Sequence, residues 1–173
     1  SDEMAPDDYL ALLNRYFECT ADSVIDHGGE ILNFIGDGVL GIFPYDGEGL
    51  PGAAGRATAA AAEAMRRCAA AKAEGNPAGA PLEFGIGLDA GELMFGNIGV
   101  PHRLAFSGIG RVVNGVQRIE KATKEMGQRV LATRPVAEAL PGAWTSAGRR
   151  CLADFQREVE LYGLAETAAR AAE

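Results

Sequence analysis

Gly36-Asp37-Gly38 sits between two apolar runs, Ile31 to Ile35 and Val39 to Phe43, and constrains the fold more than any other feature of the chain. Asp-Gly between strand-like runs specifies a hairpin, because the tight turns that match strand twist need residues tolerant of positive φ. The turn also leaves the Asp37 carboxylate at the hairpin tip, where it can hold a hard cation such as Mg²⁺. Taken alone, the aspartate is equally well read as a turn residue selected for its backbone.

The rest of the chain supplies what a hairpin needs to pack against. Pro6-Asp7-Asp8 reads as a helix start, with acids at the positive end of the dipole. Leu10, Leu13, Phe17, Ala21 and Val24 then recur at helical spacing, and Gly28-Gly29 ends the helix. The Gly/Pro/acid-rich stretch 45–55 reads as a loop, followed by an Ala-dense helix over 57–73. Two glycine-broken strands are expected over 82–91 and 92–99. Leu104 to Gly110 leads into a helix from Arg111 to about Met126. A short strand over 129–132, a short helix capped by Thr133, and a hairpin over 151–164 complete the reading. Helices alternate with strands that come as hairpins, so the expectation is α+β: a mixed or antiparallel sheet with helices on one face. With no internal repeat or low-complexity linker, residues 1–173 form one domain.

Composition narrows the functional classes. The chain is 47% hydrophobic and 23% charged, ordinary for a soluble globular protein. A net charge of −8 argues against a nucleic-acid partner, because phosphate backbones select a Lys/Arg surface. Cys19, Cys68 and Cys151 have no metal-ligand spacing and read as reduced thiols in a cytoplasmic protein. His27 and His102 lie in apparent loops, away from any cysteine, which argues against zinc. Neither a membrane-spanning apolar run nor a signal peptide is present. The first residue is Ser1 rather than Met, and the chain reads as a fragment.

One constellation beyond the hairpin can carry chemistry. Gly108-Ile109-Gly110 opens the helix that bears Asn114 and Arg118. Glycines allow close approach of backbone to a ligand, and a helix N-terminus favours phosphate. Asn114 and Arg118, four apart, share a helix face that can hydrogen-bond a ribose and clamp a phosphate, or simply face solvent. Gly85-Ile86-Gly87-Leu88-Asp89-Ala90-Gly91 has the wrong spacing for a dinucleotide loop and continues as strand. No Ser/His/Asp arrangement or nucleophile elbow stands out.

Taken together, four stretches resemble the catalytic domain of bacterial class III adenylate/guanylate cyclases: 27–43, 85–99, 103–119 and 159–162. The resemblance covers nearly the whole chain, in the family's block order and spacing. It implies a ferredoxin-like sheet and active sites built between the two protomers of a homodimer. One protomer would supply two aspartates that hold Mg²⁺ or Mn²⁺, of which Asp37 matches the second. The other would supply Asn114 for the ribose and Arg118 for the α-phosphate of ATP, or secondarily GTP, with Gly108 and Gly110 lining the substrate. The implied reaction is attack of the ribose 3′-hydroxyl on the α-phosphorus, giving a 3′,5′-cyclic nucleotide and pyrophosphate for intracellular signalling. It needs no protein nucleophile.

Three departures from the family pattern bear on activity. The family's first metal aspartate lies on a strand ahead of the segment resembling residues 1–8, so this chain is expected to hold half a metal site and a sheet short of its N-terminal strand. Asn33 and Ser107 occupy the base-reading positions and match neither the adenylate nor the guanylate code. Arg150 and Arg157 are the nearest cations to the family's triphosphate lysine, and Arg157 is taken as the substrate contact. The alternative is a catalytically degenerate cyclase-homology domain that binds nucleotide or dimerises to regulate a partner. A diguanylate cyclase is a poorer fit, because its Gly-Gly-Asp/Glu-Glu-Phe hairpin is not matched.

Overall fold

The hairpin forms, with its turn one residue earlier than the Asp-Gly signal suggests. In the computed structural model β1 (Glu30–Ile35) pairs antiparallel with β2 (Gly38–Ile42), and Ile35 faces Gly38. The two loop residues are therefore Gly36 and Asp37, with Gly36 at φ 63°. Glycine takes the first loop position at positive φ, and Asp37 the second, at the hairpin tip. The structure describes residues 6–73, 83–100, 103–152 and 158–165, and for 95, 97–100 and 103–109 the backbone alone.

Before the hairpin runs α1 (Pro6–Asp26), and after it α2 (Gly49–Ala73). The start of α2 corrects the loop expected over 45–55. The Glu48 amide donates to Asp46 Oδ1 at 2.9 Å, and the Gly49 amide to the Asp46 carbonyl at 3.0 Å. Pro51 then falls in the first helical turn, where its missing N–H costs nothing.

A second sheet carries the core. β3 (Ile86–Leu88) is parallel to β6 (Val130–Thr133), β6 is antiparallel to β8 (Glu158–Leu164), and β8 to β7 (Trp144–Cys151). β4 (Met94–Val100) and β5 (Arg103–Ile109) form a separate ribbon that leads into α3 (Arg111–Glu125). A short α4 (Arg134–Ala139) follows β6 directly. The mixed sheet agrees with the expected α+β class, but helices cover both of its faces rather than one. Val130 and Ala132 of β6 pack with Ala54 and Ala61 of α2, whereas Leu131 packs with Ile119 and Ala122 of α3. Side chains alternate along a strand, so an uninterrupted Val-Leu-Ala run marks burial on both sides.

The approach of α3 to β3 is set by glycine. A Cβ at Gly87 would lie 2.7 Å from the Val116 carbonyl oxygen and 2.8 Å from the Glu120 amide nitrogen. At Gly91 it would lie 3.4 Å from Val112 Cβ. The helix thus rests on bare backbone at Gly87 and packs closely over Gly91.

The β1–β2 hairpin and the four-stranded sheet do not hydrogen-bond to each other among the described residues. A cavity of about 1140 Å³ separates β2 from β3, walled by residues of α1, α2 and α3. The resemblance leads one to expect a sheet short of one strand, and the gap lies where the two sheets fail to join.

α1 and α2 are tied by Arg67, whose Nη2 lies 2.6 Å from Asp26 Oδ2 and whose Nε lies 2.8 Å from Glu63 Oε1. Arg66 also reaches both Glu63 oxygens at 2.7 Å. Hydrogen bonds from Arg66, then Arg67, hold the Glu63 carboxyl down at about 2.

Two expectations follow for stability. Gly87→Ala forces backbone atoms apart and is expected to cost about 1–3 kcal/mol in urea unfolding, whereas Gly47→Ala, in open space, changes stability by about 0.5 kcal/mol or less. Glu63 has a lowered folded pKa, so its contribution is complete above the unfolded carboxylate value and is lost as pH falls toward about 2. Glu63→Gln is therefore expected to lower the Tm at neutral pH, with the difference from the parent closing at the acid end of a thermal-melt series.

Candidate functional site

Asp37 is exposed at the hairpin tip and borders the cavity. Two groups feel its charge. The Tyr16 phenol on α1 is pushed up to about 12, chiefly by burial and then by the Asp37 and Glu120 carboxylates. The Glu120 carboxyl on α3 is also raised, by burial first and by Asp37 in addition, while Lys121 opposes. The fold therefore gathers a turn carboxylate, a helix carboxylate and a phenol from three elements far apart in sequence.

Asn114 and Arg118 lie on a different face of α3. Val113, Val116, Gln117 and Glu120 border the cavity with Asp37, whereas Asn114 and Arg118 do not. Asn114 is exposed and Arg118 half-buried. Within one chain, Asp37 and the Asn114/Arg118 pair are thus not brought together. Gly110 opens α3 as its N-cap with an extended backbone, φ 173°. A Cβ there would sit 3.0 Å from the Glu92 carbonyl oxygen, so the 89–93 segment lies directly beneath the start of the helix.

The strands that carry the expected base-reading positions contact each other. Asn33, half-buried on β1, pairs with Leu40 beyond an irregularity at Ile31/Asn33. Strand β1 contacts β5, which carries Ser107 opposite Gly96 and Gly108 opposite Phe95. Arg150 is exposed on β7, and Arg157 lies outside the described residues.

The donor chemistry bears on the metal. Asp37 offers a hard carboxylate oxygen of the type that suits Mg²⁺ or Mn²⁺. Among the described residues, no group of three or more His, Cys, Asp or Glu could hold an ion. Asp37 is a fitting ligand at the hairpin tip, with Glu120 as an acid within electrostatic reach. No helix among the described residues is long and apolar enough to cross a membrane.

Sequence reasoning passed over Tyr16, Glu120 and Asp89. The first two gain meaning only through contact with a turn elsewhere in the chain. Asp89 stood inside a run read as strand, yet its side chain closes that strand. Burial raises its carboxyl, against hydrogen bonds from Thr133 and the Ala90 amide that lower it.

The gathering of the three groups is directly testable. Asp37→Asn removes one of the charges that raise both neighbours, so the Tyr16 and Glu120 titrations are both expected to move down. Isotope-edited NMR of tyrosine and glutamate side chains reads both shifts; unchanged titrations would place Asp37 out of their reach.

Comparison with known proteins supplies the family, although no family model matches the chain. An adenylate cyclase of Dictyostelium discoideum described as terminal-differentiation specific is 32% identical over 140 residues, which is 81% of this chain and 6% of that protein. The adenylate cyclase of Anabaena cylindrica is 29% identical over 142 residues, again 81% of this chain, and 28% of that protein. The chain therefore spans less than a third of either curated relative. The crystal structure of the guanylyl cyclase Cya2 superposes with a TM-score of 0.78 at 29% identity, covering 95% of this chain and 85% of that one. The chain belongs to the class III adenylate/guanylate cyclase catalytic-domain family.

Proposed function

We propose that this chain is the catalytic domain of a nucleotide cyclase acting as a homodimer, with active sites shared between protomers. The observation that carries this reading is the separation of Asp37 from Asn114 and Arg118. Asp37 borders the cavity, while the two α3 residues lie off it, so a second copy is needed to complete one site. Curated relatives named adenylate cyclases and a guanylyl cyclase structure support the reaction class.

The substrate is ATP, with GTP second. Asn114 offers an amide that can both donate to and accept from the ribose hydroxyls. Arg118 presents a planar guanidinium to the α-phosphate, where negative charge grows as the reaction proceeds. The glycines at 108 and 110 leave room for the phosphate chain at the start of α3, whose N-terminus favours anions. Mg²⁺ or Mn²⁺, held in part by Asp37, supplies charge neutralisation and a more acidic 3′-hydroxyl when bound. The ribose 3′-oxygen forms its bond to the α-phosphorus in line with the breaking bond to the bridging oxygen, and pyrophosphate departs. The proton of the 3′-hydroxyl passes to solvent. Positioning and electrostatics carry the catalysis, so no side-chain nucleophile is required.

The full-length protein incubated with ATP and Mn²⁺ is expected to release cyclic AMP and pyrophosphate. Nucleotide binding without cyclic product from either ATP or GTP would instead mark a regulatory homologue. Arg118→Ala is expected to lower kcat by roughly 10²–10³-fold, the usual loss for one group stabilising transition-state charge, with a smaller change in KM. An equal loss in both parameters would contradict that role.

A further inference from the structure

We propose that Asp89 and Thr133 form a strut that fixes the segment beneath the start of α3 and thereby positions Asn114 and Arg118. Thr133 Oγ1 donates to Asp89 Oδ1 at 2.7 Å, and the Ala90 amide donates to the same oxygen at 2.8 Å. The bond to Thr133 crosses from the end of β3 to the end of β6, where Leu88 faces Ala132 in parallel register. Thr133 stands at the N-cap of α4, yet its hydroxyl makes no capping hydrogen bond. A threonine there ordinarily contributes about 1 kcal/mol by capping. Here that hydroxyl is diverted to a residue 44 positions away.

The strut acts where β3 stops being strand. Beyond Leu88, residues 89–93 leave the sheet and run under α3. A Cβ at Gly91 would lie 3.4 Å from Val112 Cβ, and one at Gly110 would lie 3.0 Å from the Glu92 carbonyl oxygen. The first turn of α3 is closed by the Val113 amide on the Gly110 carbonyl at 3.1 Å. Asn114 follows immediately, and Arg118 lies one turn on. A shift of the 89–93 segment therefore moves the helix start that carries both side chains. Asp89 borders the cavity but is assigned no contact with substrate; it is a positioning residue.

The catalytic consequence rests on the proposed cyclase reading, and the two can be separated. Both hydrogen bonds fall on one oxygen, and an amide oxygen can accept two. Asp89→Asn is therefore expected to keep both the fold and the turnover of the full-length protein. Thr133→Ser is expected to do the same. Asp89→Ala and Thr133→Val should each lower kcat by roughly 10²-fold, the scale of about a 1 Å misplacement, with little change in KM. The double variant Asp89→Ala/Thr133→Val should lose no more than either single change, because the pair acts as one unit. Hydrogen exchange at the Val113 and Asn114 amides, read in the same proteins, should speed up in Thr133→Val and not in Thr133→Ser.

Unchanged exchange and kcat in Thr133→Val would overturn the strut, as would an Asp89→Asn protein as impaired as Asp89→Ala. If exchange responds as expected while the parent makes no cyclic nucleotide, the strut stands and the cyclase reading falls.

Discussion

The close contact between α3 and the backbone of β3 at Gly87 is the constraint on which the rest depends. Any side chain at Gly87 would meet the Val116 carbonyl and the Glu120 amide, so the helix is as near to the strand as backbone allows. The same helix seals one face of β6 through Ile119 and Ala122, while α2 seals the other through small alanines. With both faces of β6 occupied, α3 has little freedom to slide or tilt. Its two other faces are then committed. One turns Gln117 and Glu120 to the cavity, and one carries Asn114 and Arg118 away from it.

On the proposed reading, that division lets a small domain carry two complementary half-sites. The hairpin tip sets the Asp37 carboxylate within electrostatic reach of Tyr16 and Glu120, whose ionisation is already opposed by burial and further opposed by the Asp37 charge. The α3 start offers an amide and a guanidinium, suited to a ribose and a phosphate. Neither half meets the other within one chain, whereas two copies arranged head to tail can pair each with its complement. The overall charge of −8 is compatible with this, because the proposed site calls on individual arginines such as Arg118 rather than on a basic surface.

Much of the fold was legible from local rules. The hairpin followed from Gly-Asp-Gly between apolar runs, α3 from its spacing and its closing Gly127, and β6 from a short apolar run. Local rules went astray where a local signal was outvoted. The loop expected over 45–55 became the start of α2, because an Asp46 turn and a proline in the first helical turn suit a helix as well as a loop. Thr133 was expected to cap α4, but the approach of Asp89 gave its hydroxyl a different partner. Of the candidate site, Asp37, Asn114 and Arg118 stood out as residue types at particular spacings together with the family resemblance. Tyr16, Glu120 and Asp89 did not, because their roles arise from contacts between segments distant in sequence, which leave no periodicity to read.

The most direct test of a site shared between two copies is complementation of the full-length protein. Asp37→Ala and Arg118→Ala proteins, each inactive alone with ATP and Mn²⁺, are mixed and allowed to exchange protomers. A heterodimer places an intact hairpin tip opposite an intact α3 face at one of its two sites, so the account predicts that cyclic nucleotide formation returns in the mixture. A mixture that forms heterodimers yet stays as inactive as its components would contradict it.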